Sequence, residues 1–148
     1  MLVQLDTALR MQALRSVMLH TAVAARLGIA VTDFNCLNVL SMDGPQTAGH
    51  LADRLGLTRG GAVTTMIDRL QAGGYVRRRR DETDRRRVLV ELNSHVARSA
   101  IAPLFEAFGA EVSAHLDSYQ NQEIELLLGF IQRLNQMTLN AATTLRRS

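Results

Sequence analysis

Seven arginines and three acidic residues share eleven positions, Arg77-Arg78-Arg79-Arg80-Asp81-Glu82-Thr83-Asp84-Arg85-Arg86-Arg87. Their net charge is +4, whereas the whole 148-residue chain carries +3, so the basicity is local. All 17 basic residues are Arg. A planar guanidinium fork bonds phosphate bidentately and is less strongly hydrated than an ammonium, so this density suits a polyphosphate. Tyr75-Val76 leads in, Val88-Leu89-Val90-Glu91-Leu92 leads out at strand-like density, and Asp81 to Asp84 form a polar turn. The segment is expected to be a β-hairpin with a cationic tip, shaped to lie along or into a groove of nucleic acid.

Other chemistry is sparse. No Ser/His/Asp order, phosphate loop or paired-carboxylate motif is visible, so no enzyme, catalytic residue or cofactor is expected. His50, His95 and His115 lie far apart without ligand spacing, and no metal site is expected. The single cysteine, Cys36, excludes an intrachain disulfide framework and fits a reducing cytosol. It stands beside Leu37, where a small buried hydrophobe is the normal occupant. A redox sensor or small thiol enzyme built on Cys36 is the alternative. His20 lies on an apolar stripe and reads as a core or interface residue. No apolar run is long enough to span a membrane, and no segment resembles a signal peptide.

The hairpin needs a scaffold, and aromatics make up only 4% of the chain. Ala, Leu, Val and Met must fill the interior, which favours helix on helix. Leu2 to Leu27 has helical periodicity with two apolar stripes, so this helix should be buried from two sides, and Gly28 ends it. Thr32-Asp33 is expected to cap a short helix from Phe34 to Met42. Thr47 should cap Ala48 to Leu55, with Gly56 as its terminator. Thr58 should cap a further helix to Ala72, with Val63, Met66, Ile67 and Leu70 buried. After the hairpin, Asn93-Ser94 should start a long helix through Leu116, kinked at Pro103. A last helix is expected from Asp117-Ser118.

Residues 47 to 92 therefore read helix, tight turn, helix, strand, basic turn, strand: a winged helix-turn-helix. A small residue at Ala52 lets two helices cross closely, and Gly56 permits the left-handed turn between them. The sequence resembles the MarR family of bacterial transcription regulators. The resemblance is carried by Leu51-Ala52, Leu55-Gly56-Leu57-Thr58, Val63-Thr64, Ile67-Asp68-Arg69-Leu70, Gly74-Tyr75-Val76, Arg78, Asp81 and Asp84-Arg85-Arg86-Arg87-Val88-Leu89-Val90 with Leu92. It is densest over about 46 residues and extends to a proline in the penultimate helix. One departure is Asn93 where the family commonly has Thr, without the Gly that usually follows.

The resemblance implies a two-fold dimer with each wing in a minor groove, Arg86 as the inserted finger and Asp84 holding its guanidinium. The family's thiol sensors carry their Cys near the start of the first helix, where this chain has none. The expectation is a mainly α protein with a small β wing. Residues 31–93 would form the winged helix-turn-helix, and 1–30 and 94–148 the long helices of dimerisation. Major-groove contacts are expected from Thr58, Arg59, Gly60, Gly61, Thr64 and Thr65, and wing contacts from Arg78, Arg80, Asp84, Arg85, Arg86 and Arg87. An effector pocket is expected around His20, Phe34, Asn35, Cys36, Phe105 and Phe108. The reading is a cytoplasmic homodimeric repressor of a pseudopalindromic operator, relieved by a small molecule. The alternative, a winged helix that binds protein instead of DNA, fits a cationic wing less well.

Overall fold

The computed structural model describes residues 1–57 and 60–147. The elements run α1 (Leu2–Leu27), α2 (Val31–Asp43), β1 (Gln46–Thr47), α3 (Ala48–Leu55), α4 (Gly61–Ala72), β2 (Val76–Arg80) and β3 (Val88–Leu92). There follow a short α5 (Ser94–Val96), a π-helical turn (Ala97–Ile101), α6 (Ala102–Leu116) and α7 (Asn121–Arg147). The chain forms two compact units, Met1–Leu104 and Phe105–Ser148. It is mainly helical with one antiparallel sheet ordered β1-β3-β2, as the sequence pattern implies.

One core organises the first unit. Cys36, Leu37, Val39 and Leu40 of α2 pack with Leu51 and Ala52 of α3, with Val63, Met66, Ile67 and Leu70 of α4, and with Val76 and Val90 of the sheet. The four α4 positions are those that helical spacing selects. Ala52 is fully buried, so a larger side chain there would force α3 off its neighbours. The turn between α3 and α4 depends on Gly56, whose φ of 67° lets Leu57 N–H donate to the Ala52 carbonyl at 2.9 Å. Gly74 repeats the device at the end of α4 with φ 76°. There Tyr75 N–H reaches the Leu70 carbonyl at 2.9 Å, and the chain turns into the wing.

Several boundaries differ from the expectation for physical reasons. Helix α2 starts at Val31 with extended Ala30 before it and no side-chain cap. Thr32 and Asp33 lie inside its first turn, and the Asp33 carboxylate is taken by Arg69 instead. Strand β1 is only two residues long, too short for any alternation to announce it. Its Thr47 also accepts from His50 N–H at 3.3 Å and so caps α3. Proline 103 acts upstream: it cannot donate to the preceding turn, and Ala102 N–H bonds the carbonyl of Ala97, five residues back. The expected single helix is thereby broken by a π-turn at Ala97–Ile101. Helix α7 begins four residues later than Asp117, where Glu123 reaches back to Gln120 N–H at 2.8 Å.

Candidate nucleic-acid interface

The helix-turn-helix presents its second helix, α4, with a buried face and a polar one. Gly61, Ala62, Thr64, Thr65 and Asp68 are exposed opposite the buried set. Gly60 precedes the helix at φ 119° and ψ −130°, a conformation open to glycine and strained for other residues, and with Gly61 it leaves the helix entrance without side-chain bulk. Thr58 and Arg59 lie outside the described residues.

The wing separates its arginines into two populations. Strand alternation places Arg77 and Arg79 on one side of β2 and Arg78 on the other. Glu91 stands opposite Arg77 in the β2–β3 register. It accepts from Arg77 Nε and, at 2.6 Å, from Arg79 Nε, so one carboxylate neutralises two cations. These guanidiniums hold the Glu91 carboxyl below its ordinary pKa, Arg79 first and Arg77 second, against the opposing effect of burial. Arg78 turns toward α4 and donates to Asp68 at 2.5 Å and Gln71 at 2.7 Å. It ties the wing to α4.

At the tip the pattern reverses. Arg80 Nη1 donates to the Arg85 carbonyl at 2.9 Å, and Arg87 lies 3.8 Å from Asp81, a long ion pair. Arg85 and Arg86 are exposed, and their guanidiniums make no ion pair or hydrogen bond among the described residues. The turn itself is closed by local hydrogen bonds. Asp81 Oδ1 accepts from Thr83 N–H at 3.0 Å and Thr83 Oγ1 at 2.9 Å, bonds that lower its pKa. Asp81 N–H meets the Arg87 carbonyl at 3.0 Å, and Arg87 N–H the Asp84 carbonyl at 2.9 Å. A tip already folded loses less entropy on binding.

One expectation is corrected here. Asp84 accepts the backbone N–H of Arg86 at 3.0 Å, not its guanidinium, because an aspartate two residues before an amide closes an Asx turn more readily than it reaches a long side chain. Arg85 to Arg87 lie in the turn and its exit and not in β3, so strand alternation does not sort them.

The expected effector set falls in both units. His20 meets Phe34 edge to face with ring centroids 5.4 Å apart. Phe34 and Cys36 are fully buried, and Asn35 is half-buried on α2. Burial, with a smaller contribution from Asp33, pushes the Cys36 thiol up to about 12, so at neutral pH it is a protonated core residue and not a reactive thiolate. Phe105 and Phe108 belong to the second unit. An open depression of about 390 Å³ lies elsewhere in the first unit, between Leu40, Pro45, the Arg77–Glu91 pair, Leu92 and Asn93-Ser94. Among the described residues no three His, Cys, Asp or Glu converge as metal ligands, and no single helix is long and apolar enough to cross a membrane.

Sequence reasoning missed three residues that hold the site together. Asp33 accepts a fork from Arg69, Glu91 gathers two arginines, and Tyr75 Oη donates to the Leu27 carbonyl at 3.1 Å, joining the end of α1 to the start of the wing. An acidic residue beside apolar Phe34 in the first turn of α2 was the available signal for Asp33.

Comparison with known proteins agrees with this architecture. The sequence model of the MarR family matches residues 27–87. An HTH-type transcriptional regulator of Bacillus subtilis (strain 168), YcgE, itself uncharacterised, is 36% identical over 117 residues, 79% of this chain and 75% of that protein. A MarR family protein from Bacillus stearothermophilus superposes with a TM-score of 0.67, covering 93% of this chain and 94% of the other at 24% identity. The transcriptional regulator BldR from Sulfolobus solfataricus gives 0.56 over 90% and 94% of the two chains at 30% identity.

Proposed function

The chain belongs to the MarR family of DNA-binding transcriptional regulators, not enzymes, and we propose that it acts as a cytoplasmic homodimeric repressor whose wing tip enters the minor groove. The observation that carries the reading is the contrast within the wing: Arg77, Arg78 and Arg79 are paired, whereas Arg85 and Arg86 project unpaired from a preorganised turn. A narrow minor groove has an enhanced negative potential that attracts such an Arg. Thr58, Arg59, Gly60, Gly61, Thr64 and Thr65 would face the major groove at the start of α4, while Arg78, Arg80, Asp84 and Arg87 shape and charge the wing around Arg85 and Arg86.

Dimerisation would fall to residues 1–30 and 94–148, the helical parts on either side of the winged lobe at 31–93. Leu14, Val17 and Met18 of α1 are more than half exposed, as are Leu126 and Leu128 of α7, a density of bare apolar surface that a second copy would cover. Two-fold symmetry then calls for a pseudopalindromic operator with half-sites about 34–36 Å apart. A small effector bound near His20 and Asn35 of the first unit would relieve repression by changing the separation of the two α4 helices.

The test is fluorescence anisotropy with the intergenic DNA beside the protein's own reading frame, over a salt series. The reading expects selectivity over scrambled DNA and an affinity that falls steeply with salt, by a slope of about 0.9 per phosphate neutralised. Weak binding that is equal for the two duplexes would count against it. Light scattering or sedimentation gives the dimer independently.

A further inference from the structure

We propose that the Asp33–Arg69 pair is a positioning device that fixes the rotation of the recognition helix and so contributes to operator specificity without touching DNA. The inference rests on α4 being the recognition helix. Asp33 is the one charged residue buried in the core among those described, with 1% of its surface exposed. It receives a fork from Arg69, Nε to Oδ2 at 2.7 Å and Nη2 to Oδ1 at 2.5 Å. The two residues stand on α2 and α4, 36 positions apart in sequence.

Helix α4 has little else to set its angle about its own axis. Its buried side chains, Val63, Met66, Ile67 and Leu70, give strong but non-directional packing. Its N-terminus has a glycine at the cap and no side-chain cap bond. Two ion pairs flank it at adjacent residues, Asp68 with Arg78 of the wing and Arg69 with Asp33 of α2. In the first, the Asp68 carboxylate is 60% exposed, so solvent screens it even though Arg78 also donates to Gln71. In the second, the Asp33 carboxylate is buried beneath a half-exposed Arg69, and two parallel bonds define an orientation as well as a distance. Arg69 lies one helical turn beyond Thr65, so a small rotation at the fork is carried along a rigid helix to the exposed Thr64 and Thr65. An ion pair with a buried member is weak evidence for stability, because apolar residues of like volume often replace it at no cost. Specification of one geometry is what such a pair does supply here.

That distinction is the test. Wild type, Asp33→Asn and the double variant Asp33→Leu/Arg69→Leu are compared by thermal melting and by anisotropy on a duplex that the wild-type protein selects from a randomised library, and on its scramble, across a salt series. The double variant is expected to melt at or above the wild-type temperature yet bind the selected duplex about tenfold more weakly. Affinity for scrambled DNA and the salt slope should be unchanged. Asp33→Asn keeps the volume and one acceptor, should shift specificity in the same direction by less, and carries the comparison if the double variant does not melt cooperatively. Unchanged specificity in a folded variant would overturn the positioning role. A salt slope smaller by about one would instead mark Arg69 as a phosphate contact and also overturn it. If the wild-type protein selects no sequence at all, the DNA reading fails, and this inference falls with it.

Discussion

The lobe from α2 to β3 and the long helices flanking it handle their apolar residues in opposite ways. Among the described residues, thirteen of the fifteen buried hydrophobics lie between Phe34 and Val90, and the lobe leaves only Met42 and Val88 as large exposed ones. Helices α1, α6 and α7 bury only Val23 and Ala24, both near the end of α1, while exposing a long series of Leu, Val, Ile, Met and Phe. The lobe thus satisfies its hydrophobic pattern within one chain. The helices carry the same pattern without a partner for it in this chain, and a second copy is the proposed cover.

The strongest way to break this comparison is to damage the lobe's own core. Leu51→Ala, at a position with no exposed surface, should cost about 2–5 kcal/mol, because it removes packed methyl groups and leaves a cavity. Chemical denaturation should report that loss at every protein concentration. On α7, Leu128→Glu with Ile131→Glu would be nearly neutral if those half-exposed residues simply faced water. Covered by a partner, the pair should cost about 2–3 kcal/mol per site and yield monomers in sedimentation. Dimers of undiminished affinity would remove α7 from the interface.

A finer comparison sets the wing strand against its tip. Arg86→Ala should weaken operator binding by about 1–3 kcal/mol, the range for one good Arg contact. Arg77→Ala removes an exposed side chain already committed to Glu91, and should change binding by less than about 1 kcal/mol. Titrations of both variants on one duplex at one salt concentration decide it. Equal losses would mean that the wing acts only through its summed charge.

What the sequence made legible follows the range of the forces involved. Helical periodicity placed α1 and the buried face of α4 to the residue, and the run Leu55-Gly56 located the helix-turn-helix turn, because those signals are local. The hairpin was visible, but the sorting of its arginines was not. Sorting depends on Glu91 lying opposite Arg77 and on Asp68 facing Arg78, pairings set by strand register and helix packing. Asp33 looked like a cap since Thr32-Asp33 has cap chemistry. Its partner, far along the chain, overrode that local preference.

The smallest effect expected at neutral pH concerns Cys36, and it probes how closed the lobe's core is. The thiol titrates near 9 when unfolded and is pushed up to about 12 in the fold, chiefly by burial and secondarily by Asp33. Between those values the folded state holds a proton that the unfolded state has lost. The sign follows by linkage: this contribution is fully present below about 9 and disappears as pH rises toward about 12. Wild type should therefore lose stability between pH 8 and pH 10.5 relative to Cys36→Ala. The cavity made by the substitution is the same at both pH values, so it cancels in the difference. Tyr75 and the arginines are common to both proteins and cancel as well. Alkylation at pH 8 should be slow until denaturant unfolds the lobe. Fast alkylation of the native protein, or parallel pH profiles for the two proteins, would mean that α2 opens to solvent without global unfolding. The contrast between a closed lobe and open helices would then fail at the centre of the lobe itself.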